Sequence, residues 1–386
     1  MCYNHIYVGG IIMLMNMINK LKLNSKLVKR LDYSIIIVVV LIVAFSILNI
    51  YSATNSTAGI YYAKLQFMWL IVGLIAMYIM LIWDYNLILN YASIIYWGGV
   101  ILLILNNYVL GSTVNGATGW ISIGSRAIQP AEFAKIGMIL MLARVIQDME
   151  GDVNNLKSIL TMMFYAAIPM ILIVSQPDMG MTMVSFFIIL PIVVVANVDW
   201  KIITGGLSFL IVTIVALWNS PLMHDYWKNR LISFLNPEQF ELTYGHQIIQ
   251  SKIAIGSGGL FGLGFLNGKQ YKFVPENHTD FIFAVIGEEW GMLGAIILLT
   301  LYGILLYKLI NIAKTSKDVS GSILCAGIIG FIMFSIIQNM GMAIGIMPVT
   351  GITLPFVSYG GSSMLTNFIS LGLMLNVGMR RKKINF

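Results

Sequence analysis

The sequence predicts an all-α integral membrane protein, a polytopic bundle of about ten transmembrane helices with one long extracellular loop between the seventh and eighth. Three observations carry that expectation. Of 386 residues, 58% are hydrophobic and only 10% charged. A soluble domain carries roughly 25% charged residues, so this chain is too poor in charge to cover itself with a water-facing shell. Second, ten segments approach the run of about 20 mostly apolar residues that a bilayer crossing needs: 34–53, 65–82, 87–107, 130–147, 160–175, 181–198, 202–219, 280–307, 321–346 and 355–378. Third, 15 of the 23 basic residues fall on one side if those segments alternate in direction.

Taken in order, residues 1–30 end in Lys20, Lys22, Lys26, Lys29 and Arg30 and read as a cytoplasmic tail. A cleaved signal peptide needs charge before its apolar stretch and a small-residue cleavage site after it, and the run from Gly9 to Met17 has neither. Met13, Met15 and Met17 are equally good starts. Residues 31–379 form the transmembrane domain. The apolar stretch 160–198 is split into two spans by Gln176-Pro177-Asp178. The tail, Arg144, Lys157, Lys201, Lys308, Lys314, Lys317 and the basic end at 380–386 share one side, which the positive-inside rule makes cytoplasmic. Both termini are then inside, and the loop of about 220–279 is outside. Cys2 and Cys325 suit neither a disulfide framework nor metal-ligand spacing. No internal repeat and no inverted pair of broken helices points to a transporter.

Four polar clusters interrupt the apolar pattern, and ionisable groups at membrane depth face a cavity or a partner. In Gln129-Pro130-Ala131-Glu132-Phe133-Ala134-Lys135, Pro130 suits a first helical turn, Glu132 suits the positive end of the macrodipole, and Lys135 lies within pairing reach of Glu132. The pair is either a structural clasp or the mouth of an anion-receiving cavity. Gln176-Pro177-Asp178-Met179-Gly180 places an acid at a helix start, where capping is the plain alternative. The long loop carries Arg230, the glycine-rich run 256–264 and Pro275-Glu276-Asn277-His278-Thr279-Asp280. The glycine run matches neither a Walker loop nor a dinucleotide fingerprint, and its glycines are expected to let backbone lie flat against membrane or substrate. Asp280 opens a long apolar helix beside His278 and is either its cap or a carboxylate able to accept a proton. Glu288 and Glu289, two turns deeper, are expected to be paired within the bundle. Finally, Pro348 to Ser363, with Pro355, Ser358, Tyr359, Gly360 and Gly361, reads as a re-entrant or broken lead-in to the last helix, or else as a plain external turn.

Taken together these strings resemble the SEDS family (shape, elongation, division and sporulation). The resemblance runs from Leu31 to Gly378 and rests on six ordered motifs: Ile50-Tyr51-Ser52-Ala53; Gly116-Ala117 with Trp120; Gln129-Pro130-Ala131-Glu132 with Lys135; Pro177-Asp178 with Gly180; His278-Thr279-Asp280-Phe281-Ile282-Phe283; and Leu354-Pro355 with Ser358-Tyr359-Gly360-Gly361-Ser362. The stretch Ile248 to Gly259 is more similar to the elongation branch (RodA) than to the division branch (FtsW), and the short C-terminal tail agrees. The resemblance implies a peptidoglycan glycosyltransferase that polymerises lipid II outside the membrane beside a class B penicillin-binding protein, with Asp280 at the position of the family's essential aspartate. It implies no nucleic acid partner and no obligatory cofactor, although Mg²⁺ or Mn²⁺ could assist. The family has Arg immediately before the loop tryptophan; here Gly119 precedes Trp120, and Arg126 is the nearest cation.

Joining lipid II units needs a base for the acceptor hydroxyl and cations for the departing pyrophosphate. Asp280 is the candidate base, and Lys135, Arg230 and Lys252 are the candidate cations. Glu132, Trp120, Arg126, Asp178, His278, Ser358 and Tyr359 complete the candidate substrate-binding set, and membrane lipid surrounds the bundle. The alternatives are a lipid II flippase or transporter using the same charges, a scaffold with an idle Asp280, or a division or sporulation member of the same family.

Overall fold

The structure is a computed structural model and describes residues 25–114, 117–124, 126–218, 220, 225–241 and 245–381. Residues 1–24 with Cys2, Gly116 and the basic end 382–386 lie outside the described residues. Ten long helices stand where the apolar runs predict them. The first seven are α1 (Tyr33–Thr54), α2 (Tyr61–Ile82), α3 (Ala92–Leu110, its last turn widened to π geometry), α4 (Pro130–Asp148), α5 (Leu156–Val174), α6 (Met179–Val195) and α7 (Trp200–Trp218). Within the long loop lie α8 (Asp225–Leu235) and α9 (His246–Gly258), and α10 (Ile282–Lys314), α11 (Val319–Ile344) and α12 (Gly361–Arg380) follow.

Among the described residues, α1, α2, α3, α5, α10 and α11 are long and apolar enough to cross a membrane, and α6 and most of α7 are shorter apolar helices. The remaining two, α4 and α12, are the polar ones. Glu132 and Lys135 lie in α4, Asn367 and Asn376 in α12, and both helices are buried along most of their length by their neighbours. α12 packs on α2, α11 on α6, α4 on α3 and α10 on α1. α7 turns outward, with Phe209, Val212 and Val215 exposed. Short polar side chains begin several helices by accepting an orphan backbone N–H: Asp32 from Ser34, Asn155 from Ser158, Asp178 from Met181 and Asp318 from Gly321.

Two features depart from the sequence expectation. The connection between α3 and α4 folds into an antiparallel sheet of β1 (Gly111–Val114), β2 (Ala117–Ile123) and β3 (Arg126–Ile128) in that order. A bond from Thr118 N–H to the Gln176 carbonyl (3.1 Å) ties β2 to the turn before α6. The apolar run from 282 is also not one continuous helix. Gly291 takes φ 61°, ψ −160° and breaks α10 into a short buried piece and a long one.

The break strands backbone groups on both sides, and the glycine-rich run satisfies them. Leu263 and Gly264 N–H donate to the Glu288 and Glu289 carbonyls, while Met292 and Leu293 N–H donate to the Gly259 and Leu260 carbonyls. Only glycine permits so close an approach. A Cβ on Gly258 would stand 2.0 Å from the Gly287 carbonyl oxygen, and one on Gly262 would stand 2.2 Å from that of Glu289. Gly258 and Gly262 therefore lie against α10, whereas Gly256 and Gly259 are exposed. Glu288 and Glu289 are held by loop backbone and, for Glu289, by Ser52 of α1, with no ion pair among the described residues. The Glu288 carboxylate accepts from Lys269, Gln270 and Tyr271 N–H (2.6–2.8 Å), and Glu289 accepts from Leu266 N–H (3.1 Å) and the Ser52 hydroxyl.

Candidate active site

A cavity of about 200 Å³ opens where the starts of α4, α6 and α12 meet α8, the end of the long loop and the irregular stretch 345–360. Its floor is set by α4. Pro130 starts the helix, so Glu132 and Lys135 both fall in its first turns and face inward. They pair at 2.6 Å, with the Lys135 ammonium 4.3 Å from the centre of the Phe331 ring and Thr366 of α12 donating to Glu132 Oε2 at 2.5 Å. Each is only 4% exposed, and charges so buried persist only when paired and hydrogen-bonded.

One wall is Asp178. Its Oδ1 caps α6 by accepting Met181 N–H (2.9 Å), and its Oδ2 accepts from Gln129 Nε2 (3.1 Å). Burial raises its pKa, against the pull of those two hydrogen bonds and of Arg230, while Glu132 adds to the rise. Capping is thus a real part of its role, and its second oxygen still lines the cavity. Arg230, on α8, donates from Nη1 to the Val349 carbonyl (3.0 Å) and stabilises the charged forms of both Asp178 and Asp280.

Asp280 sits in the turn before α10. The helix begins at Ile282, with Phe281 at the cap position and no side-chain cap bond, so Asp280 is not the helix cap. Among the described residues its carboxylate accepts no hydrogen bond. Burial, then Glu276 and Asp178, push its pKa up to about 7 against the pull of Arg230. A carboxyl poised there, in a cavity with two cations, suits proton acceptance. On the facing side Gly351 has φ +74°, and a Cβ there would stand 3.4 Å from Asp280 Oδ2.

Of the other sequence candidates, Trp120 (on β2) and Tyr359 line the cavity. His278 does not. Its ring packs against Tyr62 and Tyr359, with centroids 4.9 and 5.9 Å apart, and burial lowers its pKa. Ser358 turns its hydroxyl into the backbone, accepting from Leu354 N–H (2.8 Å) and donating to the Thr279 carbonyl (2.6 Å), instead of facing the cavity. Lys252 is exposed on α9 with its stem against Gly345, outside the cavity, because the α9 face buried against the bundle is that of Ile248, Ser251 and Ala254. Arg126 opens β3, and its side chain lies outside the described residues. Gly119 is buried, and a Cβ there would stand 3.4 Å from Asp178 Oδ2 and 3.9 Å from Gln129 Nε2. With glycine at 119, Asp178 is met by the Gln129 amide and by the charge of Arg230. Sequence reasoning missed Gln129 as that partner, along with Glu276, Thr366 and Asn339. The signal available was a pair of adjacent polar residues inside an apolar helix, as at Gln338-Asn339 and Thr366-Asn367.

A bundle of membrane helices enclosing a polar, mixed-charge cavity at one end defines a membrane protein that works on a polar group presented at the bilayer surface. The chain belongs to the FtsW/RodA/SpoVE family of cell cycle proteins, whose model matches residues 27–383, and it is a multi-pass membrane protein. It is 34% identical over 360 residues to the peptidoglycan glycosyltransferase MrdB of Escherichia coli strain K12, covering 92% of this chain and 95% of that one. It is also 34% identical over 362 residues to the stage V sporulation protein E of Bacillus subtilis, covering 90% and 96%. Among solved structures it is similar to a chain from work on how a peptidoglycan synthase complex coordinates polymerization and crosslinking, with TM-score 0.77, 29% identity and coverage of 90% and 97%. A second is the rod shape determining protein RodA of Thermus thermophilus, with TM-score 0.69, 28% identity and coverage of 92% and 98%.

Proposed function

We propose that the chain is a peptidoglycan glycosyltransferase that polymerises lipid II on the outer face of the cytoplasmic membrane, in the service of cell elongation. The single observation that carries the mechanism is the Asp280 carboxylate, unbonded among the described residues and sharing one cavity with Arg230 and Lys135. The acceptor 4-hydroxyl attacks the donor muramyl C1 in line and passes its proton to Asp280. The bond from C1 to the pyrophosphate oxygen breaks, and undecaprenyl pyrophosphate leaves with its charge met by Arg230 and Lys135. One displacement turns the α-linked donor into a β-linked polymer, so no covalent enzyme intermediate is needed. Glu132 holds Lys135 in place, and Trp120, Tyr359 and Asp178 line the path of the sugars. Among the described residues no three His, Cys, Asp or Glu side chains are grouped to hold a metal ion, and no step is routed through one.

The elongation role rests on the Ile248 to Gly259 stretch, since relatives from the sporulation branch are equally similar. The partner is a class B penicillin-binding protein, supported by the likeness to a chain of a synthase complex. Both termini are cytoplasmic, the tails being 1–30 and 380–386, and the 220–279 loop is external. Cysteines placed at Asn267 and Asn385 are then labelled from opposite faces, and labelling of both by an impermeant reagent on intact cells refutes that orientation. The function itself is tested with purified protein, its partner transpeptidase and lipid II. Polymer is expected. Its absence, with lipid II instead appearing on the far leaflet of proteoliposomes, indicates a flippase.

A further inference from the structure

Three successive backbone carbonyls, those of His278, Thr279 and Asp280, each accept a hydrogen bond from outside their own segment. Tyr359 N–H donates to His278 O (3.0 Å), the Ser358 hydroxyl to Thr279 O (2.6 Å), and Asn339 Nδ2 to Asp280 O (2.7 Å). The third differs from the first two because Asn339 belongs to α11, not to the 345–360 stretch. Its Nδ2 donates a second time, to Ile352 O at 2.7 Å. One fully buried amide therefore links the residue that carries the carboxylate to the irregular stretch beside Gly351, the residue facing Asp280 Oδ2. Within the turn, Thr279 and Phe281 N–H donate to the Glu276 carbonyl (3.2 and 3.1 Å), so its start is closed locally while its three last carbonyls are held from outside. It lacks the regular bonds of a helix, and Glu276 at its start takes φ 55°. A misplacement of about 1 Å in a reacting group costs roughly a hundredfold in rate.

We propose that Asn339 and Ser358 are positioning residues that aim the Asp280 carboxylate at the acceptor hydroxyl, Asn339 by setting the width of the gap between Asp280 and the 351–352 wall. Neither side chain lines the cavity. Asn339 lies behind the peptide that it holds, and the Ser358 hydroxyl is spent on Leu354 and Thr279. The inference rests on Asp280 being the base and assigns the two residues to that same step.

The test uses the full chain with its partner transpeptidase. Asn339→Ala is expected to lower kcat by about thirtyfold to a hundredfold with the KM for lipid II unchanged. Added to Asp280→Asn, it is expected to cause no further loss, because aim is irrelevant once the base is gone. A kcat within twofold of the parent, a rise in KM with kcat preserved, or a further loss on top of Asp280→Asn overturns the proposal. If Asn339→Ala does not fold, the serine decides: Ser358→Ala is expected to lose kcat about tenfold and Ser358→Thr, which keeps the hydroxyl, to restore it. Equal rates for the two serine variants overturn it. Full activity in Asp280→Asn itself defeats the base assignment instead, whereas a dead Asp280→Asn beside a normal Asn339→Ala defeats only this inference.

Discussion

At the end of the bundle where α12 stops, Arg380 pairs with Asp84 (3.0 Å) and donates to Asn376 Oδ1 (2.6 Å). Nearby, Tyr85 donates to Asp318 (2.5 Å) while Asn376 Nδ2 serves the Met80 and Trp83 carbonyls. At the end where α12 starts, Asp178, Glu276 and Asp280 share one cavity with Arg230 and Lys135, and the Asp280 carboxylate accepts no hydrogen bond among the described residues. Both ends use the same residue types at helix termini. At the closed end each named charge has a partner a few residues or one helix away, and the result fastens α2, α11 and α12 together. At the open end Asp178 accepts two hydrogen bonds and Asp280 none among the described residues, and burial raises the pKa values of both. A charged cluster at a helix terminus is a fastening when its bonding is saturated and a site when it is not.

The sharpest way to break that contrast is Asp280→Asn, which keeps the size and removes the base. Loss of a positioned base costs about 10²–10⁴-fold in rate, so polymerisation by purified protein should nearly vanish while expression and partner binding persist. Near-normal polymer from this variant would end the mechanism. Next comes Lys135→Ala. Removing one member of a buried pair costs about 3–5 kcal/mol, so both thermal stability in detergent and polymerisation should fall. The double variant Glu132→Gln/Lys135→Met should regain much of the stability but not the activity. Recovery of both would make the pair a fastening like those at the closed end.

The pH profile comes third. Asp280 works deprotonated and its pKa is pushed up to about 7, so kcat/KM should fall roughly tenfold per pH unit below that value and level off above it. A flat rate down to pH 5 is the failing outcome. Arg126→Ala should weaken donor binding about tenfold, the scale of one charge-assisted hydrogen bond, read from the lipid II concentration dependence. An unchanged dependence means the chain has dispensed with that cation. The smallest effect belongs to the closed end: Arg380→Ala should cost about 0.2–1 kcal/mol, since Asp84 is partly exposed, and should leave the rate per folded molecule alone.

The ten spans were legible because bilayer crossing is a composition signal, and the breaks at 176–178 and 348–360 because proline and paired glycines interrupt it. Asp280, Asp178, Glu132, Lys135 and Arg230 stood out as charges set against apolar runs, and the chain does bring them together. The break at Gly291 was not read, although Glu288 and Glu289 stand just before it, because its cause lies in the loop bonded to it. The sheet between α3 and α4 was invisible because two of its three strands are only three or four residues long. Lys252 and Arg230 looked alike in sequence, yet the rotation of α9 puts Lys252 outside and the lie of α8 puts Arg230 inside. Rotation about a loop helix is settled by tertiary contacts, which one sequence does not display.

The bonds that stitch residues 259–264 to both sides of Gly291 join stretches close together in the chain. As the protein is synthesised, the loop and the buried start of α10 can therefore fold against each other before α11 exists. The wall facing Asp280, residues 351–352 and 359–363, is made afterwards, together with the last helix. A chain cut short after α11 carries its carboxylate on a scaffold already knit but lacks the 351–363 wall. The cavity is thus complete only when the polypeptide is all but finished.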